Sequence, residues 1–289
     1  MRQLRQSARL TGLMRKRILF AGQPDAAAVV ERIDDLMAGA NFRPVKATAR
    51  TTAGFIRHNG TDLFVKRTTA SSWLTSIADL VRGSRAARAL RGAAILDRCG
   101  FAHPGPVAAF ELRSCGLVRA SCIISEALGD ARILSRFALA DGRNFRRRQW
   151  ISEHLAREIR RLHEAGVYTR DLQETNLMLA ARGDDITVYF IDLEDFRRVR
   201  RVPARLRMLN LVHLDRSIGR FVSRSQRLRF FYNYLGEKPE AARARRLLGH
   251  FLGTRARVER ARRGASQAAS SGSCPMRPAQ NGFSSTRRN

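Results

Sequence analysis

Arg170-Asp171-Leu172-Gln173-Glu174-Thr175-Asn176-Leu177-Met178-Leu179, followed after a polar turn by Ile186-Thr187-Val188-Tyr189-Phe190-Ile191-Asp192, is the stretch that decides the fold. Asn176 to Ala180 reads as a short strand, Arg182-Gly183-Asp184-Asp185 as a turn, and Ile186 to Ile191 as a second, almost wholly apolar strand. Such a pair folds back as an antiparallel hairpin, so the start of the first strand and the end of the second lie side by side. Asn176 and Asp192 hold those two positions. A carboxamide oxygen and a carboxylate therefore meet at one mouth, as hard oxygen donors suited to a magnesium ion that also carries phosphates. Asp171 lies five residues before Asn176, in the loop entering the same mouth. There it can orient an acceptor hydroxyl or take its proton.

The spacing Asp171-Leu172-x-x-x-Asn176, with Asp192 a hairpin away, reproduces the catalytic-loop pattern of protein kinases. Upstream, Phe55-Ile56 and Leu63-Phe64-Val65-Lys66 flank His58-Asn59-Gly60-Thr61. Asn-Gly between apolar runs is a strong signal for a two-residue hairpin. That turn sets Lys66 opposite Ala53 and its ammonium near the loop Lys46 to Thr51. A strand lysine is the phosphate-contacting group of kinase-like folds, and this chain has only three other lysines, Lys16, Lys46 and Lys238.

Helical periodicity marks Asp25 to Met37, Ser84 to Cys99 and the segment around Trp150 to Leu162 that Gly166 ends. Val107 to Phe110 and Leu117 to Ser125 read as strands. Glu126-Ala127-Leu128-Gly129 then reads as a hinge between lobes. The expected class is α+β, a two-lobed protein-kinase-like fold with a small β-rich N-lobe and a larger helical C-lobe. The boundaries expected are a basic arm and helix over 1–39, the N-lobe over 40–126, the C-lobe over 127–262 and a disordered tail over 263–289.

The formal net charge is +29 over 289 residues, carried almost wholly by arginine. It favours anionic partners such as acidic lipid, anionic glycolipid or nucleic acid. No recognition-helix or RNA-binding signature accompanies it, so no specific nucleic acid is expected. Met1 to Gly22 mixes basic and apolar residues, readable as an amphipathic membrane-surface helix or as a solvated arm. It lacks the clean apolar run of an export signal, which leaves a cytoplasmic location as the expectation. Cys99, Cys115, Cys122 and Cys274 form no metal-ligand or disulfide pattern.

These residues resemble the lipopolysaccharide core kinases, which phosphorylate Kdo or heptose on a protein-kinase-like fold. The cues are Phe64-Val65-Lys66-Arg67, the helix from Ser84, Ile124-Ser125-Glu126-Ala127-Leu128, Leu162-His163-x-x-Gly166, Arg170-Asp171-Leu172 with Asn176, and Phe190-Ile191-Asp192-Leu193-Glu194. The resemblance spans roughly Lys46 to Leu252. It implies Asp171 as the catalytic aspartate, Asn176 and Asp192 as magnesium ligands, and Lys66 as the lysine on ATP phosphates. It also implies that main-chain groups from Glu126 to Leu128 hold the adenine. The implied acceptor is an anionic glycolipid, a lipopolysaccharide precursor met peripherally at the cytoplasmic face of the inner membrane. The implied reaction is ATP-dependent phosphorylation of a sugar hydroxyl. The basic stretch Arg197 to Arg229, with eleven arginines against Asp215 alone, would then hold acceptor phosphates or carboxylates.

Several positions depart from the protein-kinase pattern. The loop Lys46 to Thr51 has no glycine repeat, so its Thr hydroxyls and basic side chains are expected to cover phosphates instead. Thr169 stands where the catalytic-loop histidine belongs, and Glu194 where a glycine belongs. Ala89 occupies the helix position that should offer a glutamate to Lys66, which would leave Lys66 poorly fixed. That keeps open a pseudokinase scaffold binding nucleotide or anionic lipid. A kinase-like transferase with a small-molecule or protein acceptor also stays open. His163 is expected to pack and make a backbone hydrogen bond.

Overall fold

A computed structural model describes residues 14–22, 25–136, 144–183, 185–236 and 241–271. The N-lobe is a six-stranded antiparallel sheet in the order β1-β5-β6-β4-β3-β2. Its strands are β1 (Arg15–Ala21), β2 (Arg43–Ala47), β3 (Thr51–His58), β4 (Thr61–Thr69), β5 (Pro106–Ser114) and β6 (Leu117–Glu126). Three N-lobe helices accompany it: α1 (Ala26–Ala38), α2 (Trp73–Arg82) and α3 (Arg85–Arg98).

The β3–β4 hairpin turns on Asn59 and Gly60, whose φ values of 48° and 78° are those of a two-residue turn matched to strand twist. Ala53 pairs with Lys66, the register expected from that turn. On the other side Lys66 pairs with Ile123. The lysine is thus held on a strand with neighbours on both sides. Ile56, Val65, Phe110 and Ile124 point from the sheet into one core with Val29, Val30 and Ile33 of α1.

Two boundaries differ from expectation. Residues 15–21 are neither arm nor helix: they pair antiparallel with β5, and α1 seals the same core. Lys16 is fixed there by donating to the Val30 carbonyl at 2.7 Å. The N-lobe therefore begins well before residue 40, because pairing with β5 draws this basic segment into the sheet. Residues 1–13, where most of the expected membrane arm falls, lie outside the described residues. At the other end the helix α7 (Ala241–Ser271) runs past residue 263. Arginine and alanine, which favour helix, dominate that stretch until serine and glycine take over. The remainder of the expected disordered tail, residues 272–289, lies outside the described residues.

The C-lobe contains α4 (Phe145–Glu164), α5 (Ala204–Ile218), α6 (Arg224–Leu235) and α7. Asn144 caps α4 by accepting from the Arg147 N–H, and Gly166 (φ 78°) follows its end. Between α4 and α5 run the short strands β8 (Val167–Thr169) and β11 (Phe196–Arg198), paired with each other. The hairpin β9 (Leu177–Arg182) and β10 (Asp185–Phe190) lies between them, with β7 (Arg132–Ile133) on its edge. Leu155, Ile159 and Leu162 of α4, Leu172, Leu177, Leu179 and Phe190 form the second core. Helix α3 contributes Ala89, Ala93 and Leu96 to that core, so it packs on the C-lobe while lying beside the N-lobe sheet.

Candidate active site

The hairpin of β9 and β10 forms with Phe190 opposite Leu177. One residue beyond, the Ile191 N–H donates to the Asn176 carbonyl at 3.0 Å. Asn176 is the last residue of a 3₁₀ turn, Glu174–Asn176, and Asp192 is the second residue past the end of β10, just before the turn Leu193–Asp195. The two side-chain positions thus flank one mouth. Phe190, stacked edge-on between Phe101 and Phe196 at 6.0 and 5.7 Å, anchors the strand that delivers Asp192. Asp192 itself adopts a left-handed conformation (φ 59°, ψ 62°), tolerable for aspartate and uncommon for other non-glycine residues.

The Asn176 amide nitrogen donates to the Asp171 carbonyl at 2.9 Å and to its carboxylate at 3.2 Å. Its oxygen is thereby turned away from Asp171. The second Asp171 carboxylate oxygen accepts from the Gln173 amide, and the Asp171 N–H donates to the Thr169 hydroxyl at 3.3 Å. Gln173 and Asn176 therefore fix the orientation of the carboxylate, and Thr169 holds its backbone.

Lys66 arrives from the N-lobe. Its ammonium lies 2.7 Å from an Asp192 oxygen and 2.8 Å from a Glu194 oxygen. Burial pushes the Lys66 pKa down, but the two carboxylates outweigh it and raise the pKa above the usual lysine value. Asp171 contacts Asn176, Lys66 contacts Asp192, and the bond from the Ile191 N–H to the Asn176 carbonyl holds the two pairs at the same end of the hairpin.

The expectation that Lys66 would be poorly fixed is overturned by Glu194. Helix α3 offers only Ala89, yet Glu194, two residues after Asp192, supplies the carboxylate from the opposite side. Arg85 and Arg88 of α3 hold the other Glu194 oxygen at 3.1 and 3.7 Å. The polarity of the helix-to-lysine contact is inverted: α3 brings cations, and the acid sits in the turn between. The helix also approaches the turn closely: a Cβ placed on Gly92 of α3 would stand 2.0 Å from the Leu193 carbonyl oxygen.

A family model described as the Lipopolysaccharide kinase (Kdo/WaaP) family matches residues 50–234, spanning both lobes from the turn before β3 to the end of α6. The chain belongs to the Kdo/WaaP lipopolysaccharide kinase family. Among solved structures, WaaP in complex with acyl carrier protein shares the fold with a TM-score of 0.61. It is 22% identical, with 86% of this chain and 97% of that one covered. A comparison with curated protein sequences found no match.

In this Kdo/WaaP family member, the expected backbone hydrogen bond from His163 is replaced by two side-chain bonds. The ring is wholly buried, 2.8 Å from the Tyr234 hydroxyl and 3.1 Å from the Asn210 amide oxygen. The Asn210 amide nitrogen donates to the Thr169 carbonyl at 2.6 Å, which leaves its oxygen to accept. The His163 Nε2 therefore carries the proton, and Nδ1 accepts from Tyr234. Burial is the main cause that lowers the His163 pKa to about 4. The floor of the catalytic loop is a neutral relay, Tyr234–His163–Asn210–Thr169. Thr169, lacking a ring, contributes its carbonyl and hydroxyl to that scaffold.

Three neighbours had no clear sequence signal. Gln173 reads as a loop residue until its bond to Asp171 is seen. His213 of α5 faces the catalytic loop: burial lowers its pKa, opposed by the Asp171 charge and a hydrogen bond to the Arg170 backbone. Glu174 is buried with its carboxyl pKa raised by burial, and Arg220 stands 3.8 Å away. Glu194 did carry a signal. An acid stands where the kinase pattern has glycine, in a chain with only 25 acidic residues.

At the hinge, the Glu126 N–H donates to the Gly105 carbonyl and the Ala127 N–H to the Asp62 carbonyl. The Leu128 carbonyl accepts from Ala131. The Leu128 N–H has no backbone acceptor among the described residues. In the turn before β3, the Thr48 hydroxyl accepts from the Thr51 N–H at 3.0 Å, so this hydroxyl shapes the turn. The Arg50 carbonyl accepts from Thr69, which closes the turn over β4.

Proposed function

We propose that the chain transfers the terminal phosphate of ATP to a hydroxyl of an inner-core sugar, Kdo or heptose, on a lipopolysaccharide precursor. The single observation that carries this reading is the grouping of Asp171, Asn176, Asp192, Lys66 and Glu194. It gathers a fixed carboxylate, two oxygen donors and a doubly paired lysine around one mouth. Asp171, held by Gln173 and Asn176, orients the sugar hydroxyl and takes its proton as the hydroxyl oxygen attacks phosphorus in line. Lys66 meets the nucleotide phosphates with its ammonium. The Leu128 N–H, next to Glu126, is the donor offered to an adenine ring nitrogen.

The donor set fits magnesium. Asn176 has its amide nitrogen committed to Asp171 and its oxygen free, and Asp192 keeps one oxygen beyond the Lys66 contact. Held there, the ion would offset phosphate charge. Glu194 supplies the lysine partner that α3 lacks, which favours an active transferase over a nucleotide-binding scaffold.

The exposed arginines Arg198, Arg200, Arg201 and Arg205 follow directly on the metal-side turn. Guanidinium forks there suit the phosphates and carboxylates of an anionic glycolipid. Other arginines of the same stretch serve the fold: Arg197 and Arg207 donate to backbone carbonyls and Arg227 pairs with Asp215. No helix among the described residues is long and apolar enough to cross a membrane. A peripheral place at the cytoplasmic face of the inner membrane suits both the charge and the acceptor. Because the WaaP neighbour was solved with acyl carrier protein, a carrier protein is a further candidate partner.

The test is to incubate the full chain and Mg-ATP with intact and with deacylated lipopolysaccharide precursors, and to weigh the products. A mass gain of one phosphate on Kdo or heptose is expected. No magnesium-dependent transfer to either acceptor would overturn the reading.

A further inference from the structure

Helix α2 is built inside out for a protein in water. Its one buried residue is Ser76. Trp73, Leu74, Ile77, Leu80 and Val81 are exposed, at 62%, 60%, 44%, 47% and 86% respectively. These positions fall at i, i+1, i+4, i+7 and i+8, a single stripe of a 3.6-residue helix. The helix is nonetheless well specified. Ser72 and Thr75 form a reciprocal capping box at its start, and Gly83 (φ 83°) follows its end. Its polar face packs toward β6 and α3. A stable helix that turns its apolar stripe outward is made to be covered.

The surroundings of the stripe are basic. Between α2, α3 and the ends of β4 and β6 lies a polar recess lined by Arg50, Arg82, Arg85 and Arg88, with the Thr68 and Thr69 hydroxyls. Arg88 is engaged by Asp79 and Glu194, and Arg85 by Glu194 while half exposed. Neither Arg50 nor Arg82 makes an ion pair among the described residues. An apolar stripe edged by unneutralised guanidinium groups matches acyl chains edged by phosphates. A second copy of the chain would set the same arginines, and a +29 charge, against themselves. Ten residues of helix reach about 15 Å, too short to span a bilayer and suited to lying in its surface.

We infer that α2 is a bilayer-docking helix: its Trp73-to-Val81 face enters the interfacial layer of an anionic membrane, and the Arg50–Arg82–Arg85 edge meets lipid phosphates. The placement serves the site. Ser72, the cap of α2, comes six residues after Lys66 on the same run of chain, and the turn carrying Arg50 bonds to Thr69 just before that cap. A membrane held against α2 brings the nucleotide lobe to the surface where a lipid-linked acceptor resides. The inference rests on the proposed function for its purpose but makes a separate physical claim.

The chain has two tryptophans, so Trp150→Phe leaves Trp73 as the only reporter. The full chain with that substitution is mixed with phosphatidylethanolamine vesicles containing about one quarter phosphatidylglycerol, and with phosphatidylcholine vesicles. Trp73 emission is expected to shift to the blue and to be quenched by brominated acyl chains, on the anionic vesicles above all. Leu74→Gln with Ile77→Gln is expected to weaken vesicle binding at least about tenfold. Melting temperature and phosphorylation of a deacylated acceptor should stay the same. Three outcomes overturn the inference: no vesicle binding, binding that leaves Trp73 emission unmoved, or a blue shift that grows with protein concentration without vesicles. A wild-type chain that docks but phosphorylates no acceptor would count against the proposed function alone.

Discussion

The imidazole of His163 and the hydroxyl of Tyr234 meet at 2.8 Å beneath the catalytic loop, with no solvent reaching the ring. Together with Asn210, this contact sets the height of Thr169 and so of Asp171 two residues on. The relay works only with a neutral ring, because a second ring proton would point at the Tyr234 oxygen and break the donor order.

Stability should therefore fall as pH drops from about 6.5 toward 4. Above that window the ring is neutral in both states and contributes no pH dependence. Within it the unfolded chain binds a proton that the folded chain refuses, since the folded pKa is about 4. Below it both states are protonated and the slope ends. The full term is on the order of 3 kcal/mol. Urea unfolding of the wild type and of His163→Gln between pH 4 and 7.5 checks this. The substituted chain should lose the part of the slope that belongs to the ring.

Asp171→Ala should lower kcat at least about 100-fold with little change in melting temperature. The side chain is half-buried at the mouth, and its removal leaves the cores intact. Steady-state turnover with a deacylated acceptor measures it. Near wild-type turnover would remove Asp171 from the chemistry.

Glu194→Gln keeps the size of the side chain, removes its charge and turns one of its two acceptor oxygens into an NH2 donor facing a cation. Lys66 then keeps Asp192 alone as a charged partner, while Arg85 and Arg88 face a neutral amide. The expected result is a rise in KM for ATP and a fall in kcat of about 10-fold or more. Arg88→Gln, which leaves Lys66 its two carboxylates, should have a smaller effect.

Gly92→Ala tests the close approach of α3 to the turn that carries Asp192 and Glu194. The added methyl meets the Leu193 carbonyl, so the turn or the helix must shift. Overpacking of this kind costs about 1–3 kcal/mol. Thermal unfolding should show the loss, and turnover should fall with it, because Leu193 lies between the two residues that hold Lys66.

Much of this was legible in the chain itself. Asn59-Gly60 set the hairpin and with it the Ala53–Lys66 register, since a two-residue turn leaves one pairing. The apolar run Ile186 to Ile191 set the strand that ends at Asp192. Local chemistry decides both. Residues 15–21 were misread because a short mixed segment carries helix and strand patterns equally well, and only pairing with β5 decides between them. Glu194 and Asn210 act on partners that lie on other elements, as Lys66 does 128 positions before Glu194, and no local spacing announces such a pair. Gln173 meets Asp171 only two residues away, but which way the two side chains turn is set by the folded loop.

Control is where the source of the Lys66 partner matters most. In kinases that carry the glutamate on the helix beside the lysine, swinging that helix outward switches the enzyme off. Here Asp192 and Glu194 ride on one short turn at the end of β10 and not on α3, so an outward swing of α3 would remove Arg85 and Arg88 but leave both acids on the lysine. Such wiring gives up a familiar off-switch. It leaves access to substrate, rather than helix rotation, as the natural throttle on turnover.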